Sequence, residues 1–430
     1  MVRPAAIALV GAAAVTGVAL ALLAPWTGEA PVFLALCAAG ALLSGTVFLA
    51  RRSLPGGRGG GALLVALALL VRLPLLLAPP SLSDDLYRYV WDGRLWVAGE
   101  NPYAVPPEDP SLAGFQGTPL YSSLAHRDLA TIYPPLAEAL FTALAAAGLG
   151  PGGFRAAFAL LDALTVLALA RILARRGHSP WGAAAYALHP LAALESAGSG
   201  HVDCLALALL AWAWERAEAG RPTSSLVAWL GGALAKPQAL AAGLFERRRW
   251  GGARFALGLG LGGAALAGLL LLSRAAGPAS GLLAYLAVWR HNDLVFGGMV
   301  AAGLTLAAAK AVGALAILGL ALILAARRID PIAGYAWVAL FALLVSPVLH
   351  PWYALWALVA VPLLGRDGPR LTAWALAGAV LVAYALPLGA RAGTPGFRVL
   401  PLCVRVWELA PVLALGLVEA VTCALRAVRR

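Results

Sequence analysis

Between Ser83 and Arg94 the chain sets Asp84, Asp85, Arg88, Asp92 and Arg94 directly behind a hydrophobic run. Adjacent aspartates on a helix point about 100° apart. From there Asp84 reaches Arg88 at i+4 and Asp85 reaches it at i+3. One carboxylate is then held ionised while the other is free to take a proton, which suits a general base. Helix capping is the competing reading. Ser83 or Asp84 can close the first turn, and carboxylates there favour the helix dipole. Asp92 either pairs with Arg88 or Arg94 or contacts substrate directly.

Further along, Glu195-Ser196-Ala197-Gly198-Ser199-Gly200-His201-Val202-Asp203 is a polar turn between two apolar runs. Ionisable groups at the edge of a membrane bundle are functional candidates by default. A histidine with two carboxylates can also hold a divalent metal ion. Asp85 and His201 are then the candidate ligands, although the spacing matches no strong metal motif. Lys236, before Pro237 in an apolar run, needs an anion such as a phosphate or a carboxylate. His350-Pro351-Trp352-Tyr353, His291 and Asp293 lie at other span ends. Asp162 and His189 lie inside apolar runs and are expected to be packing and hydrogen-bonding groups.

These residues need a membrane scaffold to position them. Of 430 residues 61% are hydrophobic and 12% charged, where a soluble domain carries roughly 25%. The runs 5–24, 31–50, 61–79, 156–174, 253–273, 303–326, 331–349, 371–388 and 402–425 are near the ~20 residues that cross a bilayer. The expected fold is an all-α polytopic membrane protein, without the alternating ten-residue pattern of an outer-membrane barrel. The net charge of +12 does not indicate nucleic acid. With the N-terminus inside, most arginines fall in cytoplasmic segments, as the positive-inside rule requires. The first run is followed within a few residues by a second, so it reads as a span and not a cleaved signal. Cys37, Cys204, Cys403 and Cys423 have no paired spacing and read as buried thiols.

Three spans deliver the chain to the outer side by residue 79, and an outer loop follows over 80–135. Within it 84–98 is expected to be an interfacial helix, with Tyr87, Val90, Trp91 and Leu95 facing the membrane. Tyr133-Pro134-Pro135 then opens a half-helix over 136–149. Spans 180–195 and 202–217 follow, and 281–290 is an amphipathic piece. The run 223–245 is interrupted at Lys236-Pro237, since proline removes a donor, and is read as a broken, re-entrant element. The total is about twelve crossings with both termini cytoplasmic. Asp84, Asp85, Glu195, His201, Asp203, His291, Asp293 and His350 all fall on the outer side.

The ordered set Asp84-Asp85-Leu86-Tyr87-Arg88-Tyr89-Val90-Trp91-Asp92-Gly93-Arg94, Gly99-Glu100-Asn101-Pro102-Tyr103 and Ile132-Tyr133-Pro134-Pro135-Leu136 resembles the GT-C superfamily of polyprenyl-phosphate-sugar-dependent glycosyltransferases. The likeness is to its bacterial alpha-mannosyltransferase-like members and, more distantly, to the first mannosyltransferase of GPI-anchor synthesis. Glu195 to Asp203, Lys236-Pro237-Gln238 and Ser346 through Tyr353 fit later landmarks of that family. The likeness runs from residue 80 to about 355. In many members the acidic loop follows the first span, whereas here two extra spans precede it, so 1–60 reads as an addition to a core of 61–355, with C-terminal spans over 356–430. The acidic motif reads Ser-Asp-Asp instead of Asp-x-Asp, which leaves the base open between Asp84 and Asp85.

The resemblance implies an inverting glycosyltransferase. It would move a sugar, mannose as the first expectation, from a polyprenyl-phosphate carrier to a lipid, glycan or protein acceptor. The site would lie on the periplasmic or extracellular side of the inner (plasma) membrane. Asp84 or Asp85 serves as base, and Lys236, Arg88 or Arg398 meets the lipid phosphate. Asp92, Tyr133, Glu195, His201, Asp203, His350 and Tyr353 line the substrate site, and a divalent metal is allowed but not required. The rival from another class is a secondary transporter using Lys236, Asp162 and His189. Against it stand the dense acidic loop and the lack of duplicated halves. A third reading is an inactive scaffold of the cell envelope.

Overall fold

The computed structural model describes Ala12 and residues 15–19, 30–80, 82–385 and 402–428. The 5–24 run lies mostly outside these residues, as do Arg398 and the end of the 371–388 run. The described residues are helical, and their only β feature is an isolated bridge between His291 and Val348. The helices of eight or more residues are α1 (Ala30–Ala50), α2 (Gly57–Leu77), α3 (Asp85–Val97), α4 (Pro135–Ala146), α5 (Pro151–Arg175), α6 (Asp203–Glu218), α7 (Pro222–Ala235), α8 (Gly252–Ser273), α9 (Gly281–Val288), α10 (Leu294–Ala301), α11 (Leu306–Ala326), α12 (Pro331–Val345), α13 (Arg370–Ala379) and α14 (Leu402–Val428).

Six of these, α1, α2, α5, α8, α11 and α14, are long and apolar enough to cross a membrane. The count of about twelve is therefore not met by long helices among the described residues. The other apolar stretches are shorter or broken. The expected span 180–195 is a string of short turns ending in a π-helical turn, Leu194–Gly198. Prolines at 180 and 190 restart the backbone there. The 223–245 run breaks at Lys236, where α7 ends with an extended residue. A 3-10 turn, Pro237–Ala239, follows. Trp229 closes this break from inside by donating its indole N–H to the Ala239 carbonyl at 2.8 Å.

Helix α3 has the expected position but not the expected partners. Val90, Trp91 and Leu95 are 0–2% exposed and face protein, not lipid. The reason is the close approach of α3 to α4. A Cβ on Gly93 would meet the Phe141 carbonyl oxygen at 2.4 Å, so only glycine fits there. Tyr89 stacks on Phe141 with centroids 4.7 Å apart and meets Tyr133 edge-on at 4.9 Å. These contacts fix the direction in which the first turn of α3 points.

Helix α5 sets the scale of the bundle. Near its N-terminus Arg155 donates to the carbonyls of Ala197 and Ala78, beside the acidic segment. Near its C-terminus Arg171 and Arg175 pair with the buried Glu215, and Arg176 pairs with Glu218. At 1.5 Å per residue the two ends stand roughly 30 Å apart, the thickness of a hydrocarbon core. Arg249 joins the second end through Glu218. The acidic segment and this arginine cluster thus occupy opposite ends of the same helix.

The middle of the bundle is pinned by one buried ion pair. Arg72 Nη2 lies 2.5 Å from Asp162 Oδ2, with both side chains fully buried. Tyr186 donates its hydroxyl to Asp162 at 2.5 Å, while Arg72 donates to the Ala187 carbonyl at 3.0 Å and to Ser196 Oγ at 3.2 Å. His189 Nδ1 accepts the Leu191 N–H and caps the next turn. The expected structural roles of Asp162 and His189 match these contacts. Asp162→Ala leaves a buried guanidinium uncompensated and is expected to cost about 3–5 kcal/mol, whereas replacing both partners by apolar residues of similar volume costs far less. Thermal unfolding in one detergent checks both; equal losses for the single and double variants would contradict the assignment.

Candidate active site

The first turn of α3 is closed by Ser83, whose Oγ accepts the Asp85 N–H at 3.3 Å. Asp84 takes the cap position but makes no side-chain cap and is exposed. Capping therefore uses the serine, and neither aspartate is occupied by it. Asp85 points inward with about a third of its side chain exposed.

The π-helical turn places Glu195 against His201, with Oε2 2.7 Å from Nδ1 and neither side chain exposed. A π-turn inserts an extra residue and often marks a functional position. Tyr384 donates its hydroxyl to the other Glu195 oxygen at 2.8 Å. Gly200, at φ +75°, turns the backbone so that His201 faces back over this turn. His201 Nε2 lies 3.1 Å from Ser83 Oγ and 3.8 Å from Asp85 Oδ2. Burial opposes protonation of His201, but the hydrogen bond to Glu195 and the nearby Asp85 and Asp203 outweigh it, and its pKa is raised. Burial lifts the Asp85 pKa, with Asp84 and Asp203 adding to the rise, while His201 and Lys236 act to lower it. A carboxylate lifted in this way is a stronger base than a free one.

Across from this pair, Lys236 Nζ is 3.1 Å from Asp203 Oδ2. Asp203 Oδ1 also accepts the Trp356 indole N–H at 2.8 Å. The expectation of an anionic partner for Lys236 is met by a carboxylate. The ammonium lies 5.9 Å from the Tyr133 ring centroid and 5.7 Å from that of Tyr353. Tyr353 in turn shares a 2.8 Å hydrogen bond with Tyr285. An ammonium has three donors, so one carboxylate does not exhaust it.

The expected pairing of Arg88 with Asp84 or Asp85 is not found. Arg88 Nε instead bonds Asp92 Oδ1 at 2.8 Å, and Nη1 bonds the Leu129 carbonyl at 2.9 Å. Burial explains this: Asp92 lies on the buried face of α3, one turn beyond Arg88, whereas Asp84 is exposed. Arg88 Nη2 is buried without a hydrogen-bond partner among the described residues. Asp92 is wholly buried. Its neighbour Glu138, 3% exposed, accepts bonds from Thr131 and Trp96. Glu138 escaped the sequence reading, although a lone carboxylate in the apolar run 136–149 was the available signal.

His350 belongs to a column of four rings. His201 stacks on Trp352 at 4.0 Å, Trp352 on His350 at 4.4 Å, and His350 on His291 at 4.7 Å. Burial and the neighbouring His291, His201 and Lys236 push the His350 pKa well below its ordinary value. Among the described residues no group of three His, Cys, Asp or Glu side chains is arranged to hold a metal ion. Asp85 and His201 face each other, but Glu195 occupies the second nitrogen of His201.

Asp85, Glu195, His201, Asp203, Lys236, Tyr133 and Tyr353 thus meet at one end of the bundle, with Arg88, Asp92 and His350 adjoining. Acids and cations face one another at one end of a bundle that holds six long apolar helices among the described residues. No curated protein matches the chain. The family model described as alpha-(1->6)-mannopyranosyltransferase, N-terminal domain, matches residues 4–250, and the model described as the MptB C-terminal domain matches residues 279–415. The chain belongs to the alpha-(1->6)-mannopyranosyltransferase family of MptA and MptB, and is a membrane mannosyltransferase by family.

Proposed function

We propose that this glycosyltransferase moves mannose from a polyprenyl-phosphate carrier to a sugar hydroxyl, with inversion, on the non-cytoplasmic face. The observation that carries the reading is the placement of Asp85, 3.8 Å from His201 Nε2, at the end of the bundle where Lys236 meets Asp203. The family description, alpha-(1->6)-mannopyranosyltransferase, supports a 6-hydroxyl as acceptor and an alpha-linked product. An alpha product from one displacement calls for a beta-linked lipid phosphate.

Asp85 takes the proton of the acceptor hydroxyl as its oxygen bonds to the anomeric carbon. The bond from that carbon to the phosphate oxygen breaks, and the lipid phosphate leaves with the electron pair. Lys236 meets the charge on the leaving phosphate, supported by Arg88. The bond to Glu195 raises the pKa of His201, and His201 in turn acts to lower that of Asp85, favouring its ionised form. The carrier would enter along the apolar wall formed by Pro134, Leu234, Pro237 and, on α8, Leu266, which adjoins Tyr133 and Lys236 in the chain. Leu266 is 41% exposed on the outer face of that helix. The arginine cluster some 30 Å away along α5 supports placing the site outside, by the positive-inside rule. The transporter reading has less to stand on, because Asp162 is held by Arg72 and His189 serves as a cap.

Two outcomes test this. Asp85→Asn is expected to lower transfer of labelled mannose from polyprenyl-phosphate mannose by about 10²–10⁴-fold in membranes. Asp84→Asn should stay within about tenfold of wild type, since its influence is only a through-space charge. Near-normal activity of Asp85→Asn would refute its role as base. The second outcome concerns pH. Only ionised Asp85 accepts a proton, so activity falls as pH drops through its raised pKa. His201→Gln removes a charge that lowers that pKa, so the acid limb should move to higher pH, and Glu195→Gln should move it the same way. An unmoved or acid-shifted limb in both variants would contradict the coupling.

A further inference from the structure

We propose that Arg405 and Glu408, from the first turns of the C-terminal helix α14, are positioning residues for the site, acting on it through the segment that carries His291. Arg405 Nη1 bonds Asp293 Oδ1 at 2.7 Å, and Arg290 Nε bonds Asp293 Oδ2 at 2.6 Å. One turn along α14, Glu408 Oε1 accepts the Asn292 side-chain N–H at 2.8 Å. Four of these five residues are buried, Asp293 being 1% exposed, Asn292 2%, Glu408 3% and Arg405 9%, while Arg290 is partly exposed.

This grip acts on an unusual stretch of backbone. Asn292 sits at φ +51°, in the left-handed region that few residues other than glycine adopt. A non-glycine residue stays there when its surroundings hold it. Immediately before it, His291 forms the isolated bridge of the fold. Its N–H donates to the Pro347 carbonyl at 2.9 Å, and its carbonyl accepts the Leu349 N–H at 2.8 Å. The 346–350 segment is thereby fixed to the 290–293 segment. The ring column then runs from His291 through His350 and Trp352 to His201.

The close packing is deliberate at a second point. A Cβ on Gly297 would lie 2.6 Å from Arg405 Nη1 and 3.2 Å from Asp293 Oδ1. The first turn of α10 is therefore fitted to the guanidinium. A guanidinium in an apolar helix is costly unless it is bonded. Arg405 spends that cost on a loop that touches the site and not on a neighbouring span. Helix α14 is thus joined to the catalytic end by polar contacts.

The inference needs only the family activity, not the choice of Asp85 as base, and a double-mutant cycle tests it. Arg405→Ala, His350→Ala and the double variant are purified, their folded fraction is fixed by thermal unfolding and size exclusion, and kcat is measured per folded molecule. Arg405→Ala is expected to lose roughly tenfold to a hundredfold in kcat. The double variant should then be no worse than the weaker of the two single variants, because both act on one column. Arg405→Lys should recover part of the loss. Gly297→Ala, which displaces the guanidinium without removing it, serves as the second variant if Arg405→Ala does not accumulate. Multiplying losses, or wild-type kcat in the folded fraction of either displaced variant, would overturn the proposal.

Discussion

Glu195 and His201 lie 2.7 Å apart with neither side chain exposed, and the elements of the site converge on them. The imidazole reaches Ser83 and Asp85 at the start of α3 and stacks on Trp352. The carboxylate takes the Tyr384 hydroxyl. Buried ionisable groups are costly to desolvate and persist where their polar atoms find partners. Satisfying this pair constrains four separate stretches of chain at once. The π-turn at Leu194–Gly198, the left-handed Gly200 and the Arg72 bond to Ser196 serve that constraint.

The bundle solves a second problem, which is holding charges at one end of an apolar body. Cations near the site are paired with carboxylates: the buried Lys236 with Asp203, the part-buried Arg88 with Asp92, and the buried Arg405 and part-buried Arg290 with Asp293. Asp85 differs from them. Its ionisation is supported by an imidazole 3.8 Å away, beyond direct bonding distance. A group close enough to feel a charge but not neutralised by it is suited to exchanging a proton.

Much of this was legible in the sequence. The apolar runs gave the long helices, the proline after Lys236 gave the break, and Glu195, His201 and Asp203 clustered where polar residues interrupt apolar ones. Local rules failed where tertiary packing decided. Helical spacing allowed Arg88 to meet Asp84, Asp85 or Asp92 equally, and burial of the α3 face against α4 selected Asp92. The same face drew Val90, Trp91 and Leu95 away from the lipid, because amphipathicity does not distinguish a membrane from a neighbouring helix. The 180–195 run has the composition of a span, yet its prolines divide it into short turns. Arg405 and Glu408 were missed although both are charges in an apolar run. Their partners lie more than a hundred residues away, and no local pattern links them.

The position of the donor phosphate is the most direct test of the account. A structure of the Asp85→Asn enzyme with polyprenyl-phosphate mannose bound would give it. The account predicts a phosphate oxygen about 3 Å from Lys236 Nζ or the Arg88 guanidinium, with the anomeric carbon open toward residue 85. A phosphate held among Arg175, Arg176 and Arg249 at the opposite end, or a mannose turned away from residue 85, would contradict it.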